Sequence, residues 1–406
     1  MRPSPRTPRI LSVLAVVGVL FAAFAPGLAT TVRLEAKDDF FKLADFAVAP
    51  ALIWIFPVLL LLLAGEAWYF HVKQKPVPKL VLPLFGAAFV IEILLVFYAG
   101  KTLTFTALLA GSLALAVPLI FGSLAGVLSE RVGVVNIAIE GQLLAGAFVS
   151  ALVASLTKSI WAGVFAAAVA GSLVAFVLAV FAIKYVVDQI IVGVVLNVLV
   201  VGLTNFLFST LMNDLATYNS PPRFSSVAIP LLAQIPVIGS VLFNQTPIVY
   251  LMYVSVAAVW FALFKTRWGI RVRAVGEYPK AADTVGIKVF RTRYISVLIG
   301  GALAGLGGSF FTLGQVGAFG KEMTNGAGYI ALAALIFGRW NPIRAAVAAL
   351  LFGFSENLQF GLAIIGSPVP SEFLLMLPYV LTVVAVAGLV GRVVGPAAAG
   401  KPYLKS

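Results

Sequence analysis

The sequence has no cysteine, one histidine (His71) and few charged residues. Asp, Glu, Lys and Arg make up 11% of its 406 residues, whereas an average soluble domain has about 25%. The absence of cysteine excludes disulfides and thiolate metal sites, and a single histidine excludes histidine-based zinc sites. Because 61% of the residues are hydrophobic, a soluble globular enzyme is nearly excluded, and we predict an all-α, polytopic transmembrane helix bundle without a metal site.

Apolar runs long enough to cross a membrane recur along the chain. A transmembrane helix needs about 17–25 mostly apolar residues, and by this criterion we predict about ten to twelve spans. The candidate spans are 10–30, 46–70, 80–99, 105–128, 133–156, 160–183, 189–211, 246–264, 294–314, 327–338, 341–364 and 371–391. The run at 327–338 is too short to cross alone, so it is either a re-entrant half-helix or uses residues from 319–326. The first run also resembles a signal peptide, but Pro26 favours an uncleaved anchor.

The basic residues indicate the orientation. The net charge of +13 would suggest nucleic-acid binding in a soluble protein, but in a membrane protein it reports topology, so no nucleic-acid partner is expected. Residues 265–293 hold eight basic and two acidic residues, which predicts a cytoplasmic loop. Alternation then places both chain ends in the cytoplasm. It places the acid-rich loop 31–45 and the polar stretch 212–245 outside.

Polar residues inside the apolar runs are the candidates for chemistry. Asn136 and Glu140 are spaced i and i+4, which would place them on one face of a helix. Glu356 lies in a second polar group, with Asn357 and Gln359. Carboxylates in a membrane usually face a bundle interior or water, so these groups either fix helix packing through hydrogen bonds or line a solute path. Glycine pairs such as Gly122/Gly126 and Gly301/Gly305 are typical of close helix packing.

A short helix is predicted within the basic loop. Pro279 suits the first turn of a helix and Gly286 suits its C-terminal stop. A helix of about two turns is too short to be stable alone in water, so we expect it to dock on a partner. The alternative is an amphipathic turn that lies on anionic headgroups.

Four ordered motifs resemble the permeases of ABC importers of the branched-chain amino acid/ribose type. The motifs are GVLSERVGVVNIAIEG at 126–141, GEYPKAADTVGI at 276–287, AGLGG at 304–308, and IFGRWNP at 336–342 leading to AALLFG at 348–353. The combination is similar above all to the nucleoside branch, which works with a lipoprotein receptor of the basic-membrane-protein type. The resemblance covers roughly residues 107–391 and implies a type II-like ABC importer permease.

Two features depart from this pattern. Tyr278 stands where the family has Asn, which is a better N-cap, so the coupling helix is expected to start differently. Residues 1–100 also hold more hydrophobic sequence than the family core needs. We therefore divide the chain into a hydrophobic extension with about three spans (1–100), a permease core that includes the coupling loop 265–293 (101–395), and a cytoplasmic tail (396–406).

The resemblance implies a pore-forming subunit and not an enzyme. Its implied partners are an ABC ATPase, a second homologous permease, an extracytoplasmic substrate-binding lipoprotein, the lipid bilayer and a small-molecule substrate. Two stretches imitate phosphate-binding loops, but Leu95 and Pro402 replace residues that the motif requires. No cofactor is therefore expected in this chain, and ATP and Mg would be bound by the ATPase.

The expected substrate is a nucleoside, or second a simple sugar such as ribose, carried by import. The residues expected to couple to the ATPase are Gly276, Glu277, Tyr278, Pro279, Lys280, Ala281, Ala282, Asp283, Gly286 and Ile287. The residues expected along the substrate path are Asn136, Glu140, Asn197, Asn205, Phe206, Phe310, Gln315, Asn325, Glu356, Asn357 and Gln359.

Two other classes stay open. The first is an ion-coupled secondary transporter that uses Glu140 or Glu356 as its coupling acid. The second is a membrane-embedded transferase, which would need an acidic cluster or a basic phosphate site at the membrane interface.

Overall fold

A computed structural model describes residues 6–35, 43–78, 80–212, 216–366, 376 and 394–404. The chain divides into two compact units. The first unit comprises Met1–Gly111, Ala228–Asn244 and Glu356–Gly391, and the second comprises Ser112–Val227, Gln245–Ser355 and Arg392–Ser406. The predicted division at residues 100 and 395 stays a prediction.

The structure is mostly helical. The helices are α1 (Arg6–Ala23), α2 (Ile55–Val72), α3 (Val81–Phe97), α4 (Phe105–Arg131), α5 (Ile139–Thr157), α6 (Ile160–Ala179), α7 (Gln189–Leu207), α8 (Ile238–Phe243), α9 (Pro247–Lys265), α10 (Arg267–Glu277), α11 (Pro279–Thr284), α12 (Val289–Ser309), α13 (Ala327–Phe337) and α14 (Pro342–Ile364). The strands are β1 (Thr30–Arg33), β2 (Phe46–Val48), β3 (Thr102–Thr104), β4 (Val227–Ala228) and β5 (Asn244–Gln245). Helices α6, α7 and α12 continue as π-helical turns over Val180–Lys184, Phe208–Met212 and Phe310–Val316.

The first unit contains α1, α2 and α3, which pack together around a small apolar core that includes Leu11, Leu60 and Phe85. Strand β1 pairs antiparallel with β2 and parallel with β3. The all-α prediction did not include this small sheet. Its strands are three or four residues long, too short for period-2 alternation to be recognised in the sequence.

Eight helices of the described residues are long and apolar enough to cross a membrane, and three shorter apolar helices accompany them. The protein is therefore a polytopic helical membrane protein. The predicted runs from 46–70 to 341–364 each correspond to one of these eleven helices, and the run at 10–30 corresponds to α1. The run at 371–391 lies outside the described residues, apart from residue 376.

The second unit is held together where glycine allows helix backbones to touch. A Cβ atom on Gly305 of α12 would lie 2.0 Å from the carbonyl oxygen of Ala167 on α6, and one on Gly146 of α5 would lie 2.4 Å from that of Gly305. Gly122 and Gly126 of α4 similarly face Ala331 and Leu335 of α13. These contacts support the packing interpretation of the glycine pairs.

Candidate functional site

A carboxylate on α5 caps the short helix α13. Glu140, in the first turn of α5, is 7% exposed. Its Oε1 accepts hydrogen bonds from the Thr324 hydroxyl at 2.6 Å and from the Gly326 N–H at 2.9 Å, and its Oε2 accepts one from the Gly328 N–H at 2.7 Å. The first N–H groups of a helix lack intrahelical partners and attract negative charge. Glu140 therefore fixes the place where α13 begins.

Helix α13 is preceded by backbone that is not helical. The π-helical turn of α12 ends at Val316, and residues 317–326 connect it to α13, which has 11 residues and is about 16 Å long at the usual rise. Since a bilayer core is about 30 Å thick, α13 alone is long enough to cross only about half of it. The Asn219 side chain holds the start of the connection, since it accepts from the Phe319 N–H at 2.7 Å and donates to the Phe319 carbonyl at 3.0 Å.

Helix α7 meets this broken segment at two polar points. The Asn197 Oδ1 accepts from the Gly141 N–H at 2.8 Å, and its Nδ2 donates to the Ile137 carbonyl at 2.9 Å and to the Tyr329 hydroxyl at 3.1 Å. Further along α7, the Asn205 Nδ2 donates to the Glu322 Oε1 at 3.0 Å. Non-helical backbone at membrane depth is tolerated only where protein buries it or where it lines a cavity. The hydrogen bonds from Asn197 and Asn205 are protein contacts of the kind that such backbone needs.

The predicted helical pairing of Asn136 with Glu140 is wrong. Helix α4 ends at Arg131, Gly133 adopts a positive φ of 92°, and α5 begins only at Ile139, so Asn136 lies in the connection. Its side-chain amide exchanges two hydrogen bonds of 3.2 Å with Gln142 and also contacts the Ser129 hydroxyl at 3.4 Å. Asn136 therefore stabilises the turn between α4 and α5.

The other predicted path residues have different surroundings. Phe206 is 65% exposed and Phe310 is 2% exposed. Gln315 lies in the π-helical turn of α12 and is half-buried, whereas Asn325 is exposed, with a φ of 42°. The remaining residues, Glu356, Asn357 and Gln359, belong to the first unit, where the Asn357 Nδ2 donates to the Leu108 carbonyl at 2.7 Å.

The structure confirms a short helix in the basic loop. Helix α11 has six residues, Pro279 occupies its first turn, and Gly286 has a φ of 84° just beyond its end. Tyr278 is the N-cap residue and makes no side-chain capping hydrogen bond, in agreement with its departure from the family pattern. Gly276 and Glu277 belong to the preceding helix α10.

One side of the predicted coupling segment (276–287) is docked on the rest of the second unit. Gly276 lies so close to the end of α4 that a Cβ on it would be 2.0 Å from the Arg131 carbonyl oxygen, and Ala282 is only 3% exposed. The exposed side chains are those of Glu277, Tyr278, Lys280, Ala281, Thr284 and Val285. The docking surface that a short helix needs is therefore partly supplied by this chain, and a face of mixed polar and apolar side chains stays exposed.

The segment 394–404 covers the same region. The Ala398 N–H donates to the Gly276 carbonyl at 2.9 Å, and the Ala397 N–H donates to the Glu277 Oε2 at 3.3 Å. The Tyr403 ring lies 5.4 Å from that of Phe290. Burial and the hydrogen bond to Asp283 raise the pKa of Tyr403, so its hydroxyl stays a donor at physiological pH.

Several residues that sequence reasoning missed complete these contacts. Thr324, Gly328 and Tyr329 bond to Glu140 or Asn197. The signal that could have found them is the Gly-Ala-Gly stretch at 326–328, directly before a short apolar helix, because exposed backbone N–H groups there require an acceptor. Among the described residues, no group of three or more His, Asp or Glu side chains could hold a metal ion.

The fold and these contacts define a polytopic membrane protein with a broken, carboxylate-capped segment and a short docked helix in a basic loop. Residues 108–386, more than half of the chain, match the family described as the permease component of the branched-chain amino acid transport system. The chain belongs to this family. It is a permease subunit of an ABC transporter, and this subunit has no catalytic role of its own. The matched range agrees closely with the extent of the sequence resemblance.

Individual relatives extend the comparison. The chain is 40% identical to the guanosine ABC transporter permease protein NupQ of Bacillus subtilis, over 72% of this chain and 95% of that protein. It is 38% identical to the nucleoside ABC transporter permease protein NupC of Lactococcus lactis, over 75% and 98%. It is 32% identical to the glucose ABC transporter permease protein TsgB13 of Haloferax volcanii, over 64% and 73%. No solved structure matches the chain.

Bacillus subtilis and Lactococcus lactis each have a second permease that is less similar to this chain. The chain is 26% identical to the B. subtilis guanosine permease protein NupP over 63% of its length, and 25% identical to the L. lactis nucleoside permease protein NupB over 62%. The permeases named for guanosine and for nucleosides therefore occur in pairs of unequal similarity to this chain.

Proposed function

We propose that this chain is the membrane-spanning subunit of an ABC importer for nucleosides. The observation that carries the proposal is the identity of 38–40% to permeases named for guanosine and for nucleosides, over 95–98% of their lengths. Purine nucleosides combine a flat base with a polar ribose, so their path needs stacking surfaces together with hydrogen-bond donors and acceptors.

The energy for transport comes from outside this chain. A partner ATPase binds ATP and Mg and transmits its motion to the permease. A second, homologous permease completes the pore, and the paired relatives of B. subtilis and L. lactis support this assembly. A substrate-binding lipoprotein on the outer side delivers the solute.

The basic loop 265–293 faces the cytoplasm, with both chain ends on the same side. Contacts at one end of the second unit support a common side for this loop and the C-terminal segment. Arg131, Gly276 and Ala398 meet there, and the Arg131 Nε donates to the Trp340 carbonyl at 2.9 Å. Of the segments that meet there, the loop 265–293 is predicted to be cytoplasmic from its basic charge, and the C-terminal segment by alternation.

The coupling segment transmits the motion of the ATPase. The exposed side chains of Lys280 and Ala281 contact the ATPase, while Ala282 and Gly276 hold the segment on α4 and the 394–404 segment. A helix seated on its own subunit moves that subunit as a rigid body when it is pushed, which alternating access requires.

The substrate path runs beside the broken segment 317–329. Interrupted helices mark binding sites in many transporters because their freed backbone groups can face solute. Asn325, Phe206 and Tyr329 leave exposed surface on this segment and on α7. Glu140 and Asn197 support these residues and do not contact the solute, because their polar atoms already form hydrogen bonds within the protein. This arrangement also disfavours Glu140 as the coupling acid of an ion-driven carrier.

A simple sugar is the second candidate substrate. The observation in its favour is the identity of 36% and 32% to two permeases of Haloferax volcanii that are named for glucose, TsgC13 and TsgB13. The lower identity and the smaller coverage of these two relatives make the nucleoside proposal the stronger one.

Competition for uptake tests the substrate. The complete operon is expressed in a host that lacks nucleoside transport, and accumulation of radiolabelled guanosine is measured with excess unlabelled adenosine, uridine, ribose or glucose. The expected result is competition by nucleosides and none by sugars. If the cells take up no guanosine but show saturable uptake of ribose or glucose, the substrate is a sugar and the nucleoside proposal is wrong.

A further inference from the structure

A basic cavity lies where α12 begins. It has a volume of about 600 Å³, and its walls include Trp268, Arg271, Lys288 and Arg291. None of the described residues that line it is acidic. The positive end of the α12 dipole adds to the three cationic side chains. The cavity is therefore suited to an anion, and we call it the head cavity.

An apolar groove continues from the head cavity along α9 and α12. Its volume is about 460 Å³, and its walls include Ala258, Ala262, Ile299 and Leu303. Trp268 lines both spaces. Ile295 of the head cavity and Ile299 of the groove are four residues apart on α12, so they lie on one face of the helix, one turn apart.

We propose that these two spaces together bind one anionic phospholipid. The phosphate of the lipid lies among Arg271, Lys288 and Arg291, and an acyl chain lies in the groove beside Ala258 and Leu303. Basic pockets between transmembrane helices at the membrane surface hold such headgroups. Tryptophan favours the same depth, because its ring is apolar and its N–H is polar.

The pairing of the two spaces is what selects a lipid. A free phosphate would use the cations but leave the groove empty, and an acidic protein loop would do the same. A zwitterionic lipid fits the groove but meets three cations without an excess negative charge. Only an anionic amphiphile satisfies both spaces, whatever substrate the transporter carries.

Lipid retention by the purified, complete transporter tests the site. The complex is washed in detergent with equal amounts of phosphatidylglycerol and phosphatidylcholine, and bound lipid is counted by native mass spectrometry. Phosphatidylglycerol is expected to be retained in preference. The variant R271Q/K288Q/R291Q should lower its affinity by roughly tenfold or more, whereas K184Q/K265Q/R267Q removes the same charge outside the cavity and should not.

A second pair of variants tests the groove. Ala258→Trp fills it, whereas Ala257→Trp changes the neighbouring exposed residue of α9, which does not line it. Only the first should weaken phosphatidylglycerol binding. Equal retention of the two lipids, equal effects of the two basic triple variants, or displacement of the lipid by inorganic phosphate alone would overturn the proposal. So would unchanged binding by Ala258→Trp.

Discussion

The Oε2 of Glu140 accepts a hydrogen bond of 2.7 Å from the backbone N–H of Gly328, a residue 188 positions further along the chain. This bond connects the first turn of α5 to the first turn of α13. Because the same carboxylate also binds Thr324 and Gly326, one side chain determines where a helix begins after ten residues of non-helical backbone. The permease's half-length helix therefore depends on a residue that the sequence alone predicts along the solute path.

Glu140→Gln should destabilise the protein. The amide replaces one acceptor oxygen with a donor group, which leaves at least one buried donor unpaired at a cost of about 1–3 kcal/mol. Thermal unfolding of the purified protein in detergent measures the loss. Glu322→Gln is the control, because the amide oxygen can still accept from Asn205. If both variants unfold at the wild-type temperature, Glu140 does not hold α13.

Ala281→Asp and Ala282→Asp should separate two effects on the coupling segment. Ala281 is exposed, so its substitution should leave thermal stability unchanged while abolishing transport through the ATPase contact. Ala282 is 3% exposed, so an aspartate there buries a charge without a designed partner and should lower stability as well. Unfolding in detergent and guanosine uptake are measured for both. Normal uptake by Ala281→Asp would remove the coupling assignment.

Ala398→Pro should weaken coupling by freeing the 394–404 segment. Proline has no N–H, so the hydrogen bond to the Gly276 carbonyl is lost, at a cost of about 1 kcal/mol. We expect lower uptake at an unchanged membrane level, with ATPase activity less responsive to substrate. Lys401→Ala, which removes an exposed side chain from the same segment, serves as the control. Equal uptake by the two variants would show that this bond is dispensable.

Gly305→Val should loosen the packing of α12 on α6. Its side chain would collide with the Ala167 carbonyl oxygen, and overpacking of this kind costs about 1–3 kcal/mol. Gly202→Val on α7 is the matched control, because no atom in the described part of the chain lies within 4 Å of a Cβ there. The unfolding temperature should fall for Gly305→Val alone. If the unfolding temperature falls equally for both variants, the effect comes from placing valine in a helix and not from the contact with Ala167.

The sequence predicted the features that local chemistry dictates. Apolar runs located the membrane helices because a bilayer requires about 20 consecutive apolar residues. Pro279 and Gly286 bounded α11 because their backbone preferences act on the nearest residues. The motif combination identified the family, which the match to residues 108–386 confirms.

Features that depend on distant contacts could not be read in this way. The periodicity of 136–140 suggested one helical face, but the positive φ of Gly133 and the bonds of Asn136 to Gln142 produce a turn. The partners of Glu140 are about 185 positions away along the chain, so no spacing rule connects them. The path residues themselves stay predictions.

The most direct test of the account is guanosine uptake by cells that express the complete transporter, with the ATPase either intact or inactivated at its catalytic base. We predict saturable accumulation that disappears with the inactive ATPase and that persists when an uncoupler collapses the proton gradient while ATP is maintained. Accumulation that survives loss of ATPase activity and is abolished by the uncoupler would contradict the account, and would identify an ion-driven carrier instead.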